Sequence, residues 1–279
     1  MGAARSVVLA ALLGLCAAAL VGTGSAGAKQ ARTLLPNLQP VAASEIIGPE
    51  TSITPTFGLD APVIVEGCFT DERVRKGASR CLRYDGKVAN VGHGPLELHY
   101  VADAHTGLAS AHQRLFKSDG TYRDRFATES EFHPTHAHFH VRDFYIARLW
   151  AASKKGRKTG DQPVAVGDKN GFCPEDSAYF GGPGHSSPDR YSCFSDQEPG
   201  AGAGSLQVVG ISAGWMDIYT ATLPDQFVEI TGVPDGAYVL EIELDPNNVF
   251  KESVETDNKA CTLLRLEGTG ARPLKAVRC

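Results

Sequence analysis

Gly236-Ala237-Tyr238-Val239-Leu240-Glu241-Ile242-Glu243-Leu244 is the run that decides the fold class. Tyr238, Leu240, Ile242 and Leu244 alternate with Val239, Glu241 and Glu243, a period of two that gives a strand one apolar face. Pro234-Asp235-Gly236 introduces it with a turn, because proline presets φ and glycine tolerates the positive φ of tight reversals. Residues 226–231 form a second apolar run on the far side of that turn.

The same grammar extends outward. Residues 87–91 and 96–100 flank Gly92-His93-Gly94-Pro95, and residues 114–117 and 122–125 flank Ser118-Asp119-Gly120, a hairpin pattern. Residues 261–266 supply a last strand, and helical periodicity is nearly absent. The expectation is an all-β protein, an antiparallel β-sandwich with long loops. Residues 181–187 and 200–205, dense in Gly and Ser, read as surface loops, and the basic run 151–160 as a solvated loop.

The chain has 279 residues, 42% hydrophobic and 21% charged, enough for a large buried core and too apolar for disorder. Its formal charge of −5 argues against a nucleic-acid binder that works by neutralising phosphate. Residues 1–28 read as a secretory leader: Arg5, an apolar run over 7–21, then Ala26-Gly27-Ala28 as a small-residue cleavage site. The run is short for a membrane anchor, and Leu15 before Cys16 does not suit lipoprotein attachment. No stable membrane insertion is expected after cleavage, and the mature chain is expected to be secreted. Residues 29–60, with Pro36, Pro40, Pro49 and Pro55, read as an arm or linker into a domain over 61–279.

Loss of the leader leaves Cys68, Cys81, Cys173, Cys193, Cys261 and Cys279. An even count in an exported chain suggests three disulfides, and local spacing favours Cys68–Cys81, Cys173–Cys193 and Cys261–Cys279. The alternative, a thiolate zinc site, lacks any CxxC spacing.

Four histidines fall within residues 131–140, EFHPTHAHFH. On a strand His136, His138 and His140 project from one side, while Ala137, Phe139 and Val141 can pack on a core. Three imidazoles at this spacing can converge on a copper or zinc ion and leave positions open for oxygen or substrate. His133 lies off the repeat, either orienting a ligand or serving structure. A second histidine motif of cupin type is not identifiable, and HExxH is absent.

From these residues on, the chain resembles the lysyl oxidase family, whose metal strand carries His-x-His-x-His. Residues 164–173, VAVGDKNGFC, resemble the family segment in which a lysine precedes a Phe-Cys pair. Residues 214–230, GWMDIYTATLPDQFVEI, resemble the segment in which a tyrosine follows an aspartate by two, and residues 236–258 resemble the closing strands. The likeness spans residues 65–279 in the same order, and makes 61–279 a lysyl oxidase-like copper-binding catalytic domain. It implies that His136, His138 and His140 bind copper and that Lys169 and Tyr219 build a lysine tyrosylquinone. The implied reaction is oxidation of a primary amine, including a lysine-bearing peptide or protein, by molecular oxygen to an aldehyde, with ammonia and hydrogen peroxide released.

The departures are specific. Thr135 stands where the family has a cysteine in the histidine motif, and Tyr179 stands near a second lost cysteine. The family partners of those two cysteines match Cys173 and Cys193, which are then expected to bond each other. Phe132 replaces a tryptophan-rich flank, and Ala147 falls where a downstream family histidine is sometimes assigned as base. Asp217, two residues before Tyr219 and so on its strand face, is the better candidate for the general base. Two other classes stay open: a non-catalytic copper-binding β-sandwich module and a zinc hydrolase.

Overall fold

The computed structural model describes residues 30–43, 46–47, 67–69, 72, 77–101, 103, 106, 108–133, 138–169, 171–181, 190–193, 206–268 and 270–279. The leader with its cleavage site, most of both Gly/Ser-rich loops, and His136 lie outside these residues.

Eighteen strands are present among the described residues. In chain order they are β1 Thr33–Leu34, β2 Leu38–Val41, β3 Ile46–Ile47, β4 Cys81–Tyr84, β5 Gly86–Asn90 and β6 Leu96–Val101. Then follow β7 Leu108–Lys117, β8 Tyr122–His133, β9 His138–Val141, β10 Tyr145–Ala151, β11 Ala165–Val166 and β12 Ala178–Tyr179. The last six are β13 Leu206–Ile211, β14 Trp215–Tyr219, β15 Phe227–Glu229, β16 Gly236–Leu244, β17 Lys259–Glu267 and β18 Gly270–Val277.

All named pairings are antiparallel, and they make four sheets: β13-β6-β7-β8-β9 with β1 on β7, β11-β10-β16-β17-β18, β12-β14-β5-β2, and β15-β4-β3. Faces of all four meet in one core that includes Leu82, Leu98, Val141, Tyr145, Phe172, Tyr219, Leu240 and Leu264. The fold is all-β and antiparallel, layered face to face as a sandwich requires. Residues Arg32–Cys279 form one compact unit. Cys68–Cys81, Cys173–Cys193 and Cys261–Cys279 are the three disulfides, the pairing that local spacing favoured.

Three local expectations change. The turn at Gly120, with φ +83°, joins β7 and β8, but these strands run well beyond the four-residue cores read from the sequence. Their outer ends carry Ser110, His112, Glu129 and Glu131 on one face and bury the small Ala109, Ala111, Ala127 and Ser130 on the other, so the apolar alternation is too weak to stand out in the sequence. The Pro234-Asp235-Gly236 turn does not close a hairpin: β15 pairs with β4 while β16 pairs with β10 and β17. Residues 261–266 are not the last strand either, because β18 pairs along β17. That strand is mostly exposed, and Arg272, Pro273 and Lys275 hide its period.

The arm is partly woven into the domain. β1 pairs with β7 and β2 with β5, so residues 33–41 complete two sheets. The basic run also folds back: Ala152 bridges Lys158, whose ammonium pairs with the buried Glu241 carboxylate beside Arg148.

Candidate active site

The histidine motif is a reversal rather than one strand. β8 ends at His133 and β9 starts at His138, and the two pair antiparallel with Phe132 opposite Phe139 and Glu131 opposite His140. Pro134 follows β8 and lacks an N–H for the ladder, which disfavours a continuous strand. Within β9, strict alternation puts His138 and His140 on one side. Phe139 and Val141, between and after them, are buried in the core as expected.

His138 and His140 are buried, with their Nε2 atoms 3.1 Å apart. Two imidazole nitrogens bound to one ion at ~2.0–2.1 Å would be separated by about 2.9 Å in square and 3.3 Å in tetrahedral arrangement. The observed spacing falls between these, so the pair fits a shared copper or zinc ion. In backbone register His133 stands opposite His138.

The lysine segment is tied to this strand. Val141 donates to the Phe172 carbonyl at 2.7 Å and Phe172 donates back at 3.2 Å, so the chain around residues 171–173 runs along the end of β9. Gly171 makes this approach possible: a Cβ there would stand 3.0 Å from His140 Cβ and 3.2 Å from the Val141 oxygen.

Phe172 is fully buried, contributing about 1.5–3 kcal/mol from its side chain alone. Its ring meets Tyr145 at 4.6 Å and Tyr219 at 4.2 Å, both edge to face, and so sets the Tyr219 plane. The Tyr219 hydroxyl donates to the Cys173 carbonyl at 2.9 Å and accepts from the Cys173 N–H at 3.0 Å. The Cys173–Cys193 disulfide anchors that clamp.

Lys169 is only 7% exposed, and its Nζ has no hydrogen-bond partner among the described residues. It stands 4.8 Å from the centre of the Tyr219 ring and 5.0 Å from that of Phe172, within cation–π reach of both. Burial lowers its pKa to about 8, against the raising influence of Asp225 and Asp217. A substantial fraction of Lys169 is therefore the neutral, nucleophilic amine near physiological pH.

Asp217 is buried on β14 two residues before Tyr219, and Ser177 Oγ donates to its Oδ1 at 3.2 Å. Burial, then the charge of Glu175, pushes its carboxyl well above the ordinary value. Burial and the Asp217 charge likewise push the Tyr219 phenol up. Ala147, the position of the missing histidine, is buried on β10.

The sequence reading did not single out Ser177, the Phe172 wedge or the buried Arg83–Glu72 pair at 2.7 Å whose charges act on Lys169. Only Phe172, beside the cysteine in the quoted segment, carried any signal.

The sequence profile described as lysyl oxidase matches residues 116–273, more than half the chain, including both histidines of β9, Lys169 and Tyr219. The chain belongs to the lysyl oxidase family. Among its lysyl oxidase relatives, human lysyl oxidase homolog 1 is 31% identical over 128 residues, 46% of this chain and 19% of that protein. Pig protein-lysine 6-oxidase is 30% identical over 139 residues, 50% of this chain and 47% of the relative. The matches thus span less than half the length of these lysyl oxidase relatives.

Proposed function

We propose that this chain is a secreted, copper-dependent amine oxidase of the protein-lysine 6-oxidase type. It would act on primary amines, chiefly the side-chain amine of peptidyl lysine, with molecular oxygen as oxidant. Residues 1–28 would be its leader and residues 61–279 its catalytic domain, whose sheets the strands of the 29–60 arm complete. Three disulfides favour an oxidising compartment, and no helix among the described residues is long and apolar enough to cross a membrane.

The observation that carries this reading is the placement of the unpartnered Lys169 Nζ 4.8 Å from the Tyr219 ring. His138 and His140, with His136, would hold copper, and Lys169 joined to Tyr219 would form the quinone. Together these groups would supply acceptance of electrons from the amine and their return to oxygen. The chain's own contributions are positional and acid–base. Burial keeps the Lys169 lone pair available, the Cys173 backbone fixes the phenol oxygen, and Phe172 holds the ring plane. Asp217 serves as the base that takes a proton from the carbon bearing the substrate amine; its raised pKa makes it a stronger base than an exposed carboxylate.

Copper loading in air, followed by digestion and mass spectrometry with phenylhydrazine labelling, tests the reading. A labelled species joining the Lys169 and Tyr219 peptides, absent from Lys169→Ala and Tyr219→Phe, is the expected result. Separate, unlabelled peptides from the wild type would refute it and leave a copper-binding module.

A further inference from the structure

An open cavity of about 640 Å³ lies against the face of the six-stranded sheet turned away from the core. Its floor is built from β6 and β7, where His99 stands opposite His112, with Asp124 and Glu129 of β8 beside them. Register relates it to the histidine strand. Leu108 of the cavity wall is opposite Glu131, and Glu131 is opposite His140. Directly opposed residues in antiparallel strands share a face, so cavity and His140 lie on one face, two interstrand spacings or about 10 Å apart.

The charge of this face is one-sided. Asp103, Asp124, Glu129 and Glu131 supply four carboxylates, over the buried Glu97 that His99 and Tyr191 hold, against the guanidiniums of Arg114 and Arg142. Arg114 is already held in a two-pronged contact by Asp124, and Arg142 by Glu131. The rim is apolar and open to solvent: Leu206 is 60%, Phe126 54% and Val101 50% exposed. Exposed apolar side chains around a charged floor mark a binding surface rather than a solvated sheet.

We propose that this cavity is a docking trough for an extended, lysine-bearing polypeptide, whose ammonium groups meet the carboxylates while its apolar residues cover the rim. The inference rests on the amine-oxidase reading and names how its substrate approaches. An extended chain advances about 3.3 Å per residue, so about three residues carry it from the trough to the histidine strand. A second copy of the same face is the poorer occupant, because it would set like charges against each other.

Ser110 lies exposed on the trough floor opposite Glu129, and Ser110→Lys sets a positive charge among the carboxylates without touching the core. The probe is a fluorescein-labelled peptide of roughly eight residues alternating lysine and valine, long enough to cross the trough. Its affinity, read by fluorescence anisotropy, should fall at least about tenfold in Ser110→Lys, stay near wild type in Ser110→Thr, and weaken steeply with salt. Acetylation of its lysines should abolish binding. The ratio of peptide to propylamine kcat/KM should fall by a similar factor in Ser110→Lys. Equal binding by Ser110→Lys, equal binding of the acetylated peptide, or a change confined to self-association in sedimentation would overturn the proposal. Charge-sensitive peptide binding without any amine turnover would instead sink the oxidase reading and leave the trough standing.

Discussion

Val141 and Phe172 exchange backbone hydrogen bonds across a single antiparallel bridge, joining the end of the histidine strand to the segment that carries Lys169. One side of the bridge leads to the paired His138 and His140 rings, the other through Phe172 and Cys173 to Tyr219. The two halves of the site therefore share one piece of backbone, and disturbing either should be felt in the other.

His138→Ala removes one of two converging imidazoles. Outer-sphere partners of metal ligands commonly contribute 10–100-fold to affinity, so loss of a ligand should cost about 100-fold or more. Titration of copper against a competing chelator checks this; unchanged affinity would remove His138 from the site.

Gly171→Ala tests the shared backbone. The added methyl meets His140 Cβ and the Val141 oxygen at distances that oblige the bridge to shift. Copper affinity and crosslink yield should fall together, although residue 171 is neither ligand nor cofactor. Calorimetric copper titration paired with the mass-spectrometric crosslink assay measures both; independent responses would contradict a common support.

Lys169 predicts a pH dependence. With a pKa of about 8, its neutral fraction rises from about a tenth at pH 7 to about nine tenths at pH 9, so crosslinking should accelerate about tenfold over that range. The unfolded chain binds the extra proton between about 8 and the ordinary 10.5, so the stability contribution of this group rises with pH across that window. Lys169→Met should remove that slope and be more stable than the unlinked wild type at pH 7. Rapid-quench mass spectrometry and urea denaturation against pH provide the two readouts.

Asp217→Asn separates base from scaffold. Loss of a general base should lower kcat by roughly 10²–10⁴. The native carboxyl holds its proton to higher pH than in the unfolded chain, so its contribution to stability declines as pH rises above 3.8. The asparagine variant should therefore be at least as stable as wild type at pH 7. Thermal unfolding at pH 4 and pH 7, alongside turnover of a primary amine, distinguishes this from a folding defect.

Strand content, the 237–244 face, the cysteine partners and the histidine-bearing strand were legible because each follows from alternation with period two or from short separation along the chain. β18 was not, since an exposed strand needs no apolar period, nor were the outer ends of β7 and β8, whose buried face carries alanine and serine too small to mark one. The Pro234-Asp235-Gly236 turn was visible as a reversal, but its passage between sheets was decided by the partners β4, β10 and β17.

At the candidate site, the sequence by itself determined the alternation of imidazoles at two-residue spacing and of Asp217 with Tyr219, while Lys169 and Tyr219 stood out through the resemblance to lysyl oxidases. Only the tertiary structure placed Lys169 against Tyr219, fifty positions later, and buried it deeply enough to bring its pKa to about 8. It also broke the histidine run at Pro134 into two antiparallel strands. The physical reason is that side-chain alternation is a local property of the backbone, whereas convergence and desolvation depend on packing between distant segments, here the Phe172 ring held between Tyr145 and Tyr219.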